Sequence, residues 1–197
     1  MPEVRSALAE CMKPGRYGAG AATVMLSEKP IGRLMQIAGW PGSFEAAATR
    51  IMRGLGFSSI GDFRMARAVG ANIAFRIAPE RILLSLPDDD TWNRVAPSLN
   101  PSDTPSLDLS HARARIAISG ACVRDLMARL LPIDLHEEAF ARGQFVQTGL
   151  HSVPILLHRL ADQNDAAAYD LYCPYTWAVS VWEALIGSAL PLGYEIG

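Results

Sequence analysis

From residue 113 to 120 the chain alternates, with Ala114, Ile116 and Ile118 set against Arg113, Arg115, Ala117 and Ser119. A period of two predicts a strand with one buried face. After Gly120 the period lengthens: Val123, Leu126, Met127, Leu130 and Leu131 stand at helical spacing, and Pro132 stops the helix. Residues 145–150, 153–160 and 168–173 predict further strands, the last two joined by the turn Asp162-Gln163-Asn164-Asp165, with Pro174 as punctuation. From Thr176 onward Ala178, Val181, Trp182, Leu185, Ile186 and Ala189 mark one face of an amphipathic helix.

The first half is written in the same grammar. A strand is expected at 33–38, ending in Gly39, then a helix at 43–55 with the stripe Phe44, Ala47, Ala48, Ile51 and Leu55 and Ser43 as N-cap. A hairpin follows at 72–78 and 82–86, turning at Pro79-Glu80-Arg81, and Asp88, Asp89 and Asp90 open a short helix where carboxylates complement the helix dipole. Gly39 is answered by Gly120, Phe63 by Phe145, Pro87 by Pro174, and Thr91-Trp92 by Thr176-Trp177. The halves therefore keep register. The expected fold is α+β: two repeated β-α-β-β-α units, with antiparallel or mixed sheets carrying helices on one face. The expected organisation is an N-terminal arm at 1–20 with little core of its own, a first half at 21–100 and a second at 107–197, packed as one compact unit. The Pro-, Ser- and Asp-rich stretch 97–106 is the natural boundary.

Composition narrows the function classes. Eighteen Lys and Arg against twenty Asp and Glu give a net charge of −2, which offers no electrostatic footprint for nucleic acid or an anionic membrane. Cys11, Cys122 and Cys173 are odd in number and form no C-x-x-C pair. They are expected to be reduced thiols in a cytoplasmic protein. No apolar run is long enough to span a bilayer. Half the residues are hydrophobic and only 19% are charged, an apolar balance consistent with surface covered by another chain.

Candidate chemistry is sparse. Asp108, Ser110 and His111 cluster in "LDLSHARARIAISG", but neighbours on a strand point to opposite faces and cannot form a triad among themselves. Capping or pairing at the strand's entry is the expected role. His111, His136, His151 and His158 all fall in the second half, without H-x-x-x-H spacing or a Cys partner pattern, so no metal site is expected. Asp88, Asp89 and Asp90 lack the Gly and distal Glu of a calcium loop. The glycines at 15, 18, 20, 54, 56, 61 and 70 include neither G-x-G-x-x-G nor a Walker lysine. Trp92, Trp177 and Trp182 read as core or interface packing.

"LDLSHARARIAISG", "LMARLLPIDLHEEAFARGQFVQTGLHSVPILLHRL" and "YDLYCPYTWAVSVWEALI" resemble the gamma subunit family of heterotetrameric sarcosine oxidase. More distantly, the same stretch is similar to the glycine-cleavage aminomethyltransferases, which share the D-x-S-H entry and the strand-Gly-helix order. The resemblance implies the aminomethyltransferase folate-binding fold and a non-catalytic gamma subunit. Its complex would demethylate sarcosine oxidatively to glycine, in sarcosine catabolism and one-carbon metabolism, passing the one-carbon unit to tetrahydrofolate. It implies direct contact with the alpha subunit, beta and delta as further partners, and no cofactor in this chain. FAD, FMN, NAD and tetrahydrofolate would be held by alpha and beta, and zinc by delta. Where the aminomethyltransferases carry a folate-facing acid, this chain reads Ser152-Val153-Pro154-Ile155-Leu156-Leu157, so no folate carboxylate carries over. No catalytic, cofactor-binding or metal residue is assigned. The alternative is a stand-alone tetrahydrofolate-binding module. The arm at 1–20, with exposed apolar surface, is the expected docking element.

Overall fold

A computed structural model describes residues 6–197. The chain opens with β1 (Gly15–Tyr17) and β2 (Val24–Lys29), continues through β3 (Arg33–Ala38), α1 (Phe44–Gly54), β4 (Arg67–Val69), β5 (Asn72–Ala78), β6 (Arg81–Leu86), α2 (Asp89–Val95) and β7 (Ser106–Asp108). It then runs through β8 (Arg113–Ser119), α3 (Val123–Ala128), β9 (Phe145–Leu150), β10 (Val153–Arg159), β11 (Ala168–Pro174), α4 (Ala178–Ala189) and β12 (Tyr194–Ile196). It divides into two compact units, Ile31–Ser110 being one and Met1–Pro30 with His111–Gly197 the other.

The unit Ile31–Ser110 holds an antiparallel sheet in the order β4-β5-β6-β3-β7. Alternation puts Met35, Ile37, Ala74, Ile82 and Leu84 on the face that packs with Phe44, Ala48, Ile51 and Met52 of α1 and Trp92 and Val95 of α2. The helix α2 starts where the three aspartates stand: Asp88 is its N-cap, accepting from the Thr91 N–H at 2.8 Å. Ser43 occupies the N-cap position of α1, as expected, but its side chain makes no capping bond. Its hydroxyl instead donates to the Trp40 carbonyl at 3.3 Å, a local turn bond that competes with capping.

The other unit holds a mixed sheet in the order β1-β12-β2-β8-β11-β10-β9, antiparallel except where β12 runs parallel to β2. Ala114, Ile116 and Ile118 of β8 and Tyr169, Leu171 and Cys173 of β11 face one core with Val123, Leu126 and Met127 of α3 and Val181, Trp182 and Leu185 of α4. Trp182 is fully buried there, so both Trp92 and Trp182 serve the cores while Trp177 is half exposed.

Three expectations are corrected. Each helix α1 and α3 is followed by three strands, so the β-α-β-β-α count is one short: β4 is three exposed residues at a sheet edge and carries no periodicity. The limits 21–100 and 107–197 also move. β2 pairs with β8 rather than with the sheet of β3, and residues 97–106 lie inside the unit Ile31–Ser110, because β7 returns to pair with β3. The arm is not free of core. Residues 1–5 lie outside the described residues, but Leu8 is fully buried in the cluster of α3 and α4, and β1 pairs with β12.

Candidate functional site

The face of the seven-stranded sheet opposite α3 and α4 carries the polar groups of this unit. Alternation dictates which: Arg113, Arg115, Ala117 and Ser119 of β8 point away from Ile116 and Ile118, and Asp170 and Tyr172 of β11 point away from Leu171. Register then aligns them. Asp170 stands beside His158 on one side and Ala117 on the other, and Tyr172 beside Arg115. The Arg115 Nη2 donates to the Asp170 Oδ2 at 2.5 Å, and its guanidinium lies 5.7 Å from the Tyr172 ring centroid. Asp170 is 1% exposed, so the pair satisfies a carboxylate that could not be left alone. Burial pushes the neighbouring His158 down to about 4, against the pull of Asp170 and with help from the Arg115 charge. Near neutral pH the cluster is one ion pair beside a neutral imidazole, an arrangement that fixes strand order and offers no activated nucleophile.

A second cluster sits at the sheet's end. Arg159, 1% exposed, donates to the carbonyls of Leu160 and Ala168 at 2.7 and 3.1 Å and pairs with Asp162, which also binds Arg142 at 2.5 Å. Asp162 is held below the usual carboxylate range, first by its bond from Arg159. These contacts pin the β10–β11 connection, where Asn164 and Asp165 both take positive φ, the geometry of a type I′ hairpin turn.

Beyond the ion pair the same face opens into a trough of about 580 Å³. Met25, Ser27 and Lys29 of β2 with Ala117 and Ser119 of β8 line it, together with Thr23, Gly120 and the turn at 163–166. Glycine builds its wall. Gly120, at φ +125°, lets the Thr23 carbonyl come so close that a Cβ would lie 2.2 Å from its oxygen. Thr23 in turn donates its amide to Gly193 at 2.9 Å and its hydroxyl to Leu192 at 2.7 Å.

The D-x-S-H stretch has a structural answer. The Ser110 amide and hydroxyl both donate to Asp108 Oδ1, at 2.9 and 2.6 Å, and the Ser110 oxygen accepts from the Leu34 N–H at 3.0 Å. Asp108 also pairs with Arg33 at 3.2 Å. The stretch ties β7 to β3 as the chain leaves one unit for the other. The histidines are not brought together: among the described residues no group of three or more His, Cys, Asp or Glu side chains could hold a metal. His151 occupies the β9–β10 turn at φ +51°, and His136 lies outside the strands and helices. Of Ser152-Val153-Pro154-Ile155-Leu156-Leu157, Ser152 lies in the β9–β10 turn and the rest opens β10, with Val153, Ile155 and Leu157 in the core. Cys11, Cys122 and Cys173 are free thiols, Cys173 pushed up to about 11 by burial. Among the described residues no helix is long and apolar enough to cross a membrane. Sequence reasoning passed over Arg115 and Asp170 as a pair. Their signal was an acid inside the otherwise apolar run of β11, but the partner is fixed only by strand register.

No protein-family model matches the chain. Curated relatives do: the sarcosine oxidase gamma subunit of an Arthrobacter species is 26% identical over 159 residues, covering 80% of this chain and 76% of the relative. That of Corynebacterium sp. strain P-1 is 28% identical over 160 residues, with the same coverage. A chain of heterotetrameric sarcosine oxidase from Corynebacterium sp. U-96, solved in complex with pyrrole 2-carboxylate, matches the fold with a TM-score of 0.77 at 19% identity, covering 89% of each chain. Aminomethyltransferase T of the glycine cleavage system from Bartonella henselae matches less well, with a TM-score of 0.61 at 14% identity over 89% of this chain and 48% of that one. By sequence along four-fifths of its length the chain is similar to sarcosine oxidase gamma subunits, the family whose resemblance its second half carries.

Proposed function

We propose that this chain is the non-catalytic gamma subunit of a cytoplasmic heterotetrameric sarcosine oxidase, docking directly on the alpha subunit in a complex that also holds beta and delta. The complex would demethylate sarcosine to glycine and pass the one-carbon unit to tetrahydrofolate, with FAD, FMN, NAD and tetrahydrofolate in alpha and beta and zinc in delta. The observation that carries this reading is the coverage of gamma-subunit relatives across most of both chains. The chemistry of the sheet face fits it, since Asp170 is engaged by Arg115 and His158 is held neutral. We read the two units as one plan used twice: β3-α1-β4-β5-β6-α2 runs parallel in order to β8-α3-β9-β10-β11-α4, and the sheets β4-β5-β6-β3-β7 and β9-β10-β11-β8-β2 match strand for strand.

Co-production with the three larger or companion subunits from the same source tests the assignment. The chain is expected to co-elute with alpha in a complex that oxidises sarcosine. A complex that assembles and turns over fully without it would overturn the reading. Tight one-to-one tetrahydrofolate binding by the isolated chain, measured by calorimetry, would replace it with a folate-binding module.

A further inference from the structure

The outward positions of an open sheet face ordinarily carry polar and long charged side chains, which keep the face in water and hold other chains off. The stretch of β2 and β8 that floors the trough keeps two small polar side chains, Ser27 and Ser119, but none of the long charged ones. Its outward residues are Met25, Ser27, Ala117 and Ser119, and Met25 is 39% exposed. Small side chains there leave room for another chain to approach the backbone. The walls are fixed before any partner arrives, by the Thr23 bonds to Leu192 and Gly193 and by the tight turn at 163–166.

One end of the trough is cationic. Lys29 stands directly opposite Arg115 across the β2–β8 ladder, and like charges so placed repel. Asp170 neutralises Arg115 at 2.5 Å, whereas Lys29 makes no ion pair among the described residues. A carboxylate arriving from outside would relieve the facing cations and complete the row. A small ligand is a poor match for this shape, because such sites enclose most of the ligand among convergent polar groups, while here the floor is a sheet face.

We propose that this trough is a docking groove for an acidic segment of a larger subunit, which seats an apolar side chain against Met25 and Ala117 and a carboxylate on Lys29. The inference rests on the reading of the chain as a subunit and names the surface that reading leaves open. Ser119→Arg and Lys29→Glu test it in the full chain co-produced with its larger subunits. Ser119→Arg puts a long side chain on the floor while pointing away from the Ile116 and Ile118 core, and Lys29→Glu reverses an exposed charge. Both variants are expected to melt at the wild-type temperature and to weaken assembly by about tenfold or more, and Lys29→Glu to abolish the weakening of assembly by added salt. Unchanged assembly of both variants, with the wild type assembling normally, overturns the groove alone. A wild type that fails to assemble at all overturns the subunit reading along with it. A rise in the isolated wild type's melting temperature with succinate, absent in Ser119→Arg, also overturns the proposal, since the trough would then serve a small acid.

Discussion

At the scale of single residues the buried charge cluster makes stability depend on pH. His158 titrates near 4 in the folded chain and near 6.5 when unfolded, so the unfolded state takes up the proton first as pH falls. Its contribution is complete above about pH 6.5 and is lost progressively toward pH 4, a change of about 3 kcal/mol at most. Urea midpoints measured between pH 7 and pH 4.5 should fall for the wild type and fall distinctly less for His158→Gln, which cannot titrate. Equal slopes in the two proteins would mean that the imidazole is not the group responsible. Asp170 gives a sharper case, because removing one partner of a buried pair leaves the other charge uncompensated. Asp170→Ala, which strands Arg115, is expected to cost about 3 to 5 kcal/mol. Both residues were visible in the sequence, yet nothing in it said that they meet. Their pairing depends on β8, β10 and β11 lying side by side, with Ala117 opposite Asp170 and Asp170 opposite His158.

Elements differ in how plainly the sequence announces them. β8 falls on the residues that alternation picks out, and α4 on its helical stripe, because each buries one face and the pattern records that burial. β1, β4, β7 and β12 are three residues each, too short to show a period. β2 is longer, but its Ser-Glu-Lys end followed by Pro30 looks like a loop. Its place beside β8 comes from pairing across nearly half the chain. The segment before β1 shows the same limit from the other side. With Cys, Lys, Pro and Gly close by, it reads as an arm, yet Leu8 sits in the core of α3 and α4. Leu8→Ala should therefore destabilise the protein by about 2 to 5 kcal/mol, as deletion of a buried leucine does elsewhere. A thermal melt checks it directly, and a melting temperature unchanged from wild type would return this segment to the status of an arm. The trough was illegible for the reason the ion pair was: small residues on two strands acquire meaning only once the strands are neighbours.

Across the whole molecule the chain crosses between its units twice, and the crossing decides what can fold alone. β2 immediately precedes β3 in sequence but pairs with β8, while β7 precedes β8 and pairs with β3. β3 and β8 thus each have as a neighbour a strand whose sequence successor belongs to the other unit. Cutting in the proline-rich stretch, where the sequence looks most like a linker, separates β8 from β2 and β12 from both of its partners. The fragment 107–197 would then expose the β8 edge and lose the Val24, Leu26 and Leu8 side chains from its core. An unpaired edge beside uncovered apolar surface favours aggregation over folding. This fragment is expected to be insoluble or to melt without cooperativity. Joining residues 6–30 to it through a flexible linker after Gly197 should restore a cooperative transition, because β1 then finds β12 and β2 lies between β12 and β8. Circular dichroism melts of the two polypeptides decide the matter. If 107–197 alone folds with a transition as sharp as that of the extended chain, β2 is dispensable, and the division at residues 30 and 110 does not describe the cooperative units.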